Sequence, residues 1–130
     1  MYNSSNLIQS KSSFYLQQSA HNILSYFHYL KGQPIYDSML NCHSKMTEAI
    51  CNYHSVTGLD RQITYYGVFI QLVIEFKTMI DLMLKRGLEF PGMAYTVMEV
   101  ENLYRKLQEE LLRMRVYQLQ IKIILKPNNS

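Results

Sequence analysis

Glycine and proline are scarce. Five Gly and three Pro in 130 residues are too few for a β-sandwich, which needs a turn every ~8–12 residues. Cysteine is scarcer still. Cys42 and Cys51 are the only two, which excludes a disulfide scaffold. On a helix their spacing puts them about half a turn out of phase, so both are expected to be unpaired, reduced thiols on opposite faces. Charge is thin as well, at 18% of residues against 48% hydrophobic. That balance is globular, and it excludes a disordered tail or a collagen-like chain.

No long uncharged apolar run exists. The most apolar stretch, residues 65–84, contains Glu75, Lys77 and Asp81, which argues against a membrane span. The first residues, Met1-Tyr2-Asn3-Ser4-Ser5-Asn6, lack a basic start before an apolar run, so no signal peptide is expected. The expected compartment is the cytoplasm. The Asn-x-Ser matches at Asn3 and Asn128 are discounted on the same ground.

Catalytic patterns are missing too. There is no GxSxG, no HExxH, no CxxC and no glycine-rich phosphate loop. Carboxylates pair only as Glu99/Glu101 and Glu109/Glu110, and neighbours one or two apart on a helix do not converge. Cys51 and His54 stand one helical turn apart, but zinc needs three or four protein ligands. Cys42 faces the other way, and His43 lies ~16 Å from His54 along a helix. His21 and His28 share a face without a recognisable partner. The expectation is a chain without enzymatic activity, metal, cofactor or small-molecule substrate.

What is present is helical periodicity. A mass of 15.4 kDa fits one domain that buries about two-thirds of its unfolded surface. Gly32, Gly58 and Gly87 divide the chain, each after a long apolar-periodic segment, as C-cap glycines do. Pro34 and Pro91 prevent continuation. Four long segments with short joints imply antiparallel neighbours. The expected fold is all-α, an antiparallel four-helix bundle over residues 13–126. Polar tails are expected at 1–12 and 127–130.

The first segment starts between Ser10 and Ser19 and turns Leu16, Ala20, Ile23, Phe27 and Leu30 inward. The second, from about Ile35 to Thr57, does the same with Tyr36, Met39, His43, Met46, Ile50 and Tyr53. On that stripe His43 is expected to be a core or boundary residue rather than a general base. Asp60 suits the N-cap of the third segment, which ends near Arg86. That segment carries Val68, Phe69, Ile70, Leu72, Val73, Ile74 and Phe76 around most of its circumference, more apolar surface than its own chain is expected to cover.

The fourth segment, from Gly92 or Met93, keeps helical spacing through Val97, Val100, Tyr104, Leu107, Leu111, Met114, Gln118, Ile121 and Leu125. Over 117–123 a period of two also fits, because Tyr117, Leu119, Ile121 and Ile123 alternate with polar residues. A short C-terminal strand is therefore the alternative to the end of this helix. Either way, Leu111, Met114, Tyr117, Leu119, Ile121, Ile123 and Leu125 are expected at an oligomer or partner contact. Eleven Tyr and eight Met suit either a plain core or an adaptable binding surface.

Thirteen basic and ten acidic residues give a net charge of +3. Residues 1–84 hold five of each sign, so the whole excess lies in 85–130. Arg105, Lys106, Arg113, Arg115 and Lys122 are the candidate contacts for an anion or nucleic acid, with Tyr117 available for stacking. Glu109 and Glu110 interrupt that set, and a pI near 8.8 is below the strongly basic range, above ~9. Composition and pattern together point to an adaptor or regulatory protein acting by protein–protein association, as a homo-oligomer or on another protein. A nucleic-acid-binding accessory subunit is the alternative.

Overall fold

In a computed structural model, which describes residues 11–125, four α-helices pack against one another. They are α1 (Lys11–Tyr26), α2 (Pro34–Ser55), α3 (Leu59–Lys85) and α4 (Met93–Leu125), with a short 3-10 helix at His28–Leu30 after α1. The all-α bundle read from the sequence is what the chain forms. Helix persists through residues 117–123, and no strand occurs among the described residues. The helix also begins two residues inside the stretch read as an N-terminal tail, since Lys11 and Ser12 are helical. Residues 1–10 and 126–130 lie outside the described residues.

The joints show how the sequence sets these lengths. At the end of α1, Phe27 is buried, with its ring centroid 6.4 Å from that of Phe90 in the α3–α4 loop. The backbone then tightens, with Leu30 N–H bonding to Phe27 C=O at 2.9 Å and Lys31 N–H to His28 C=O at 3.0 Å. The first helix therefore stops at Tyr26, short of the glycine that was to end it. Pro34 opens α2 in its first turn, where the missing N–H has no intrahelical partner to lose. Gly58 is the N-cap of α3 at φ 94°, so it starts a helix instead of ending one. Asp60 falls two residues after that N-cap, in the first turn, where a carboxylate still favours the positive end of the helix dipole. Gly87, at φ 74°, terminates α3 as expected. Its N–H bonds to Leu84 C=O at 3.0 Å and Leu88 N–H reaches Met83 C=O at 2.9 Å, the paired bonds of a Schellman end.

α3 is the central element and packs on both α2 and α4, while α1 packs chiefly on α2. Two-sided packing explains how so apolar a helix is covered. Phe69, Ile70, Leu72, Val73 and Phe76 are all buried and Ile74 is half-buried. Of the run read as excess apolar surface, only Val68 stays exposed. The expectation that α3 outstrips its own chain is corrected accordingly.

In α2 the buried stripe is Ile35, Met39, Cys42, Met46, Ala49, Ile50 and Tyr53. Tyr36 and His43 are only half-buried. The burial centre lies on the Cys42–Ala49 side, because α1 and α3 flank the helix from that direction. His43 sits at the rim, where burial and the neighbouring His21 hold its imidazole below the usual histidine range. The Cys42 thiol donates to Leu72 C=O at 3.4 Å, and burial, followed by the charge of Glu75, pushes its pKa up to about 12. Cys51 is exposed and unbridged. Since the thiolate is the reactive form, native protein should titrate with one equivalent of a thiol reagent, at Cys51. The second equivalent, at Cys42, should appear only in denaturant. Two rapid equivalents in native buffer would contradict this burial.

Candidate interaction surface

The feature that stands apart from the bundle is the far half of α4. At ~1.5 Å per residue the helix runs ~50 Å, against ~40 Å for α3 and ~33 Å for α2. Gln118 makes the farthest hydrogen bond from α4 to a neighbouring helix among the described residues. Its side-chain amide donates to Asp60 Oδ1 in the first turn of α3, so residues 119–125 continue ~10 Å past that point. No described residue beyond Met114 is buried.

Residues expected at a contact fall into three groups. Met114 is fully buried in its own bundle, because it continues the Val100–Leu103–Leu107 face turned toward α3 and α1. Leu111, Tyr117 and Ile121 are half-buried, and Leu111 also lines a groove of about 470 Å³ against Gly67 and Val68 of α3. Leu119, Ile123 and Leu125 are exposed.

Two further residues join them that the inward stripe and the alternating pattern both passed over. Leu112 and Val116 are 64% and 48% exposed, beside 59% for Leu119 and 65% for Ile123. Leu112, Val116, Leu119 and Ile123 repeat at 4-3-4 spacing on the face opposite the core. The far half of α4 is thus apolar on two sides, one facing the bundle and its extension, the other facing solvent. The 4-3-4 spacing is present in the sequence, but Leu119 and Ile123 fall in the strand alternative over 117–123, and Leu112 and Val116 in neither pattern.

The basic residues do not form one ribbon. At 100° per residue, Arg113 and Arg115 point to opposite flanks of α4. Lys106 lines a groove against α1, with Phe14, Tyr95 and Glu99. Arg115 lines the groove against α3. Arg105 donates to Asn102 Oδ1 at 2.9 Å, and Lys122 is exposed on the projecting end. Arg113 is engaged, its Nε and Nη2 donating to Glu110 Oε2 at 3.2 and 3.0 Å.

Glu110 is the one buried carboxylate among the described residues, and it pairs with the Arg113 guanidinium at 3.0 Å. Nearby, Tyr66 is buried with a hydroxyl that finds no hydrogen-bond partner. Burial first, then the neighbouring Tyr53, raises its pKa. Arg113→Ala should destabilise the fold by about 1–3 kcal/mol, the cost of leaving a buried acceptor unpaired, read as a shift in the denaturation midpoint. Glu110→Gln with Arg113→Ala should recover much of that loss. A neutral Arg113→Ala would mean that Glu110 is hydrated.

Among the described residues no three His, Cys, Asp or Glu side chains converge on a common point. No described helix is long and apolar enough to cross a membrane. Comparison of the chain with protein-family models, curated proteins and solved structures returned no match.

Proposed function

We propose that this chain is a non-enzymatic helical adaptor that works by protein–protein association through the far half of α4. The observation that carries the reading is the solvent-facing stripe Leu112–Val116–Leu119–Ile123 on a helix that outruns its bundle. Its extent is on the order of a few hundred Å², the size at which an exposed apolar patch on a monomer commonly serves recognition. At ~25 cal/mol per Å², leaving such a stripe in water forgoes several kcal/mol. A second copy is the simplest cover, since two-fold pairing is the commonest closed assembly.

Nucleic-acid binding by the same helix has less support. Lys106 and Arg113 share one flank, Arg115 and Lys122 the other, and Arg113 is held by Glu110. One phosphate backbone does not meet all of them.

Sedimentation equilibrium tests the association. Wild-type protein at ~100 μM should be a dimer or larger, since even a dissociation constant in the tens of micromolar, about −6 kcal/mol, populates the assembly there. Leu119→Asp with Ile123→Asp should sediment as a monomer with unchanged helical content, because both side chains already face water in the bundle. Wild-type protein that stays monomeric at that concentration contradicts self-association.

A further inference from the structure

We propose that two copies pair in parallel and in register along the outer stripe of α4, as a short two-stranded coiled coil. This rests on the association reading above and adds the partner, the orientation and the register.

The first argument is the residue types along the seam. In heptad notation Leu112 and Leu119 hold d positions, and Val116 and Ile123 hold a positions. Leucine at d with β-branched residues at a is the combination that parallel two-stranded coils favour. The sequence thus supplies more than apolar character at 4-3-4 spacing; it supplies the alternation of side-chain shape that separates one orientation and strand number from others.

Charge on the flanks is the second argument, and it is independent of the seam. The e positions hold Arg113 and Gln120; the g positions hold Gln108, Arg115 and Lys122. In a parallel pair each g residue faces the partner's following e residue. Arg115 then faces the partner's Gln120, and Gln108 the partner's Arg113, with no like charges opposed. An antiparallel pair that seats Leu112 on the partner's Ile123 sets Arg115 against the partner's Lys122, twice by symmetry. Like-charge apposition of that kind selects against the arrangement.

The third argument is preorganisation. Residues up to Gln118 are held helical by the bundle, with Met114 as the last buried anchor. Pairing therefore costs less ordering entropy than it would for two free peptides of this length. Upstream, Arg105 and Glu109 occupy the preceding d and a positions, so the apolar seam opens to water there. The contact is confined to about two heptads, and the two bundles lie on the outside of the pair.

Disulfide trapping in the full-length protein tests this. In a Cys51→Ser background the remaining native thiol, Cys42, is buried. Leu112→Cys and Leu119→Cys are introduced separately, with Ser44→Cys on the exposed side of α2 as the control. Under oxidised glutathione each α4 variant should cross-link to itself at least ~10-fold faster than the control, because pairing raises the effective thiol concentration toward millimolar. Efficient cross-linking of Leu112→Cys only when mixed with Ile123→Cys protein means antiparallel pairing and overturns the proposal. Slow cross-linking of every variant, with a wild-type dimer in the centrifuge, overturns the proposal and leaves the association reading standing. A wild-type monomer overturns both.

Discussion

A helix of 33 residues cannot be covered by neighbours of 16, 22 and 27. That mismatch in length is the constraint on which the arrangement turns. Along its first two-thirds, α4 is an ordinary bundle helix, burying Val100, Leu103, Leu107 and Met114. Past Gln118 only Ile121 keeps partial cover, yet the chain continues with Leu119, Ile123, Ile124 and Leu125, all exposed. Water-exposed apolar residues in series on a stretch of helix with no buried residue are costly in two ways. They forgo burial, and the helix itself loses the packing from which most helical stability comes. Both costs fall away when the far half of α4 has a partner.

The bundle beneath is built to hold that helix in place. α3 is apolar on two sides because it separates α2 from α4. Its start is tied to α4 through Asp60 and Gln118, and Lys77 meets Glu101 at 3.5 Å farther up. The latter pair is solvent-exposed and contributes little; the register of the two helices comes from the Phe69, Val73, Phe76 and Ile80 face. The one buried carboxylate, Glu110, lies on α4 just before its last buried residue, and Arg113 answers its charge. One of the exposed cations of α4 is thereby committed to keeping the bundle intact, which removes it from any external anion site.

Much of the fold was legible. Periodicity marks four helices, Pro34 and Gly87 mark a start and a stop, and the inward stripe of α1 is read correctly from Leu16 to Ile23. On α4, Val100, Leu107 and Met114 are buried as read, but Leu103 and Glu110 take the buried places given to Tyr104 and Leu111, which are half-buried. The misreadings have local physical causes. On α2, the spacings Met39–His43–Met46–Ile50 and Met39–Cys42–Met46–Ala49 are equally helical. Which side is buried depends on where α1 and α3 lie, and periodicity holds no information on that. Phe27 continues the inward stripe of α1, but its packing on Phe90 from a distant loop is a tertiary contact that ends the helix early. On α3, a wide apolar surface signals burial on two sides as readily as an unfilled interface. On α4, the outer stripe was legible in spacing and was missed because Tyr117, Leu119, Ile121 and Ile123 also alternate. A helix apolar on two opposite faces reads as a strand over seven residues, and only the continuity of α4 separates the two.

The central claim is that the end of α4 is stabilised by association and not by its own bundle. Amide hydrogen exchange over residues 119–125, followed as a function of protein concentration, tests it most directly. Segments without buried contacts open at low free-energy cost. The account predicts that these amides exchange quickly in dilute protein and gain protection as concentration rises through the dimer range, while amides of Phe69 to Phe76 in α3 stay equally protected throughout. Protection at 119–125 that is strong and independent of concentration would contradict it.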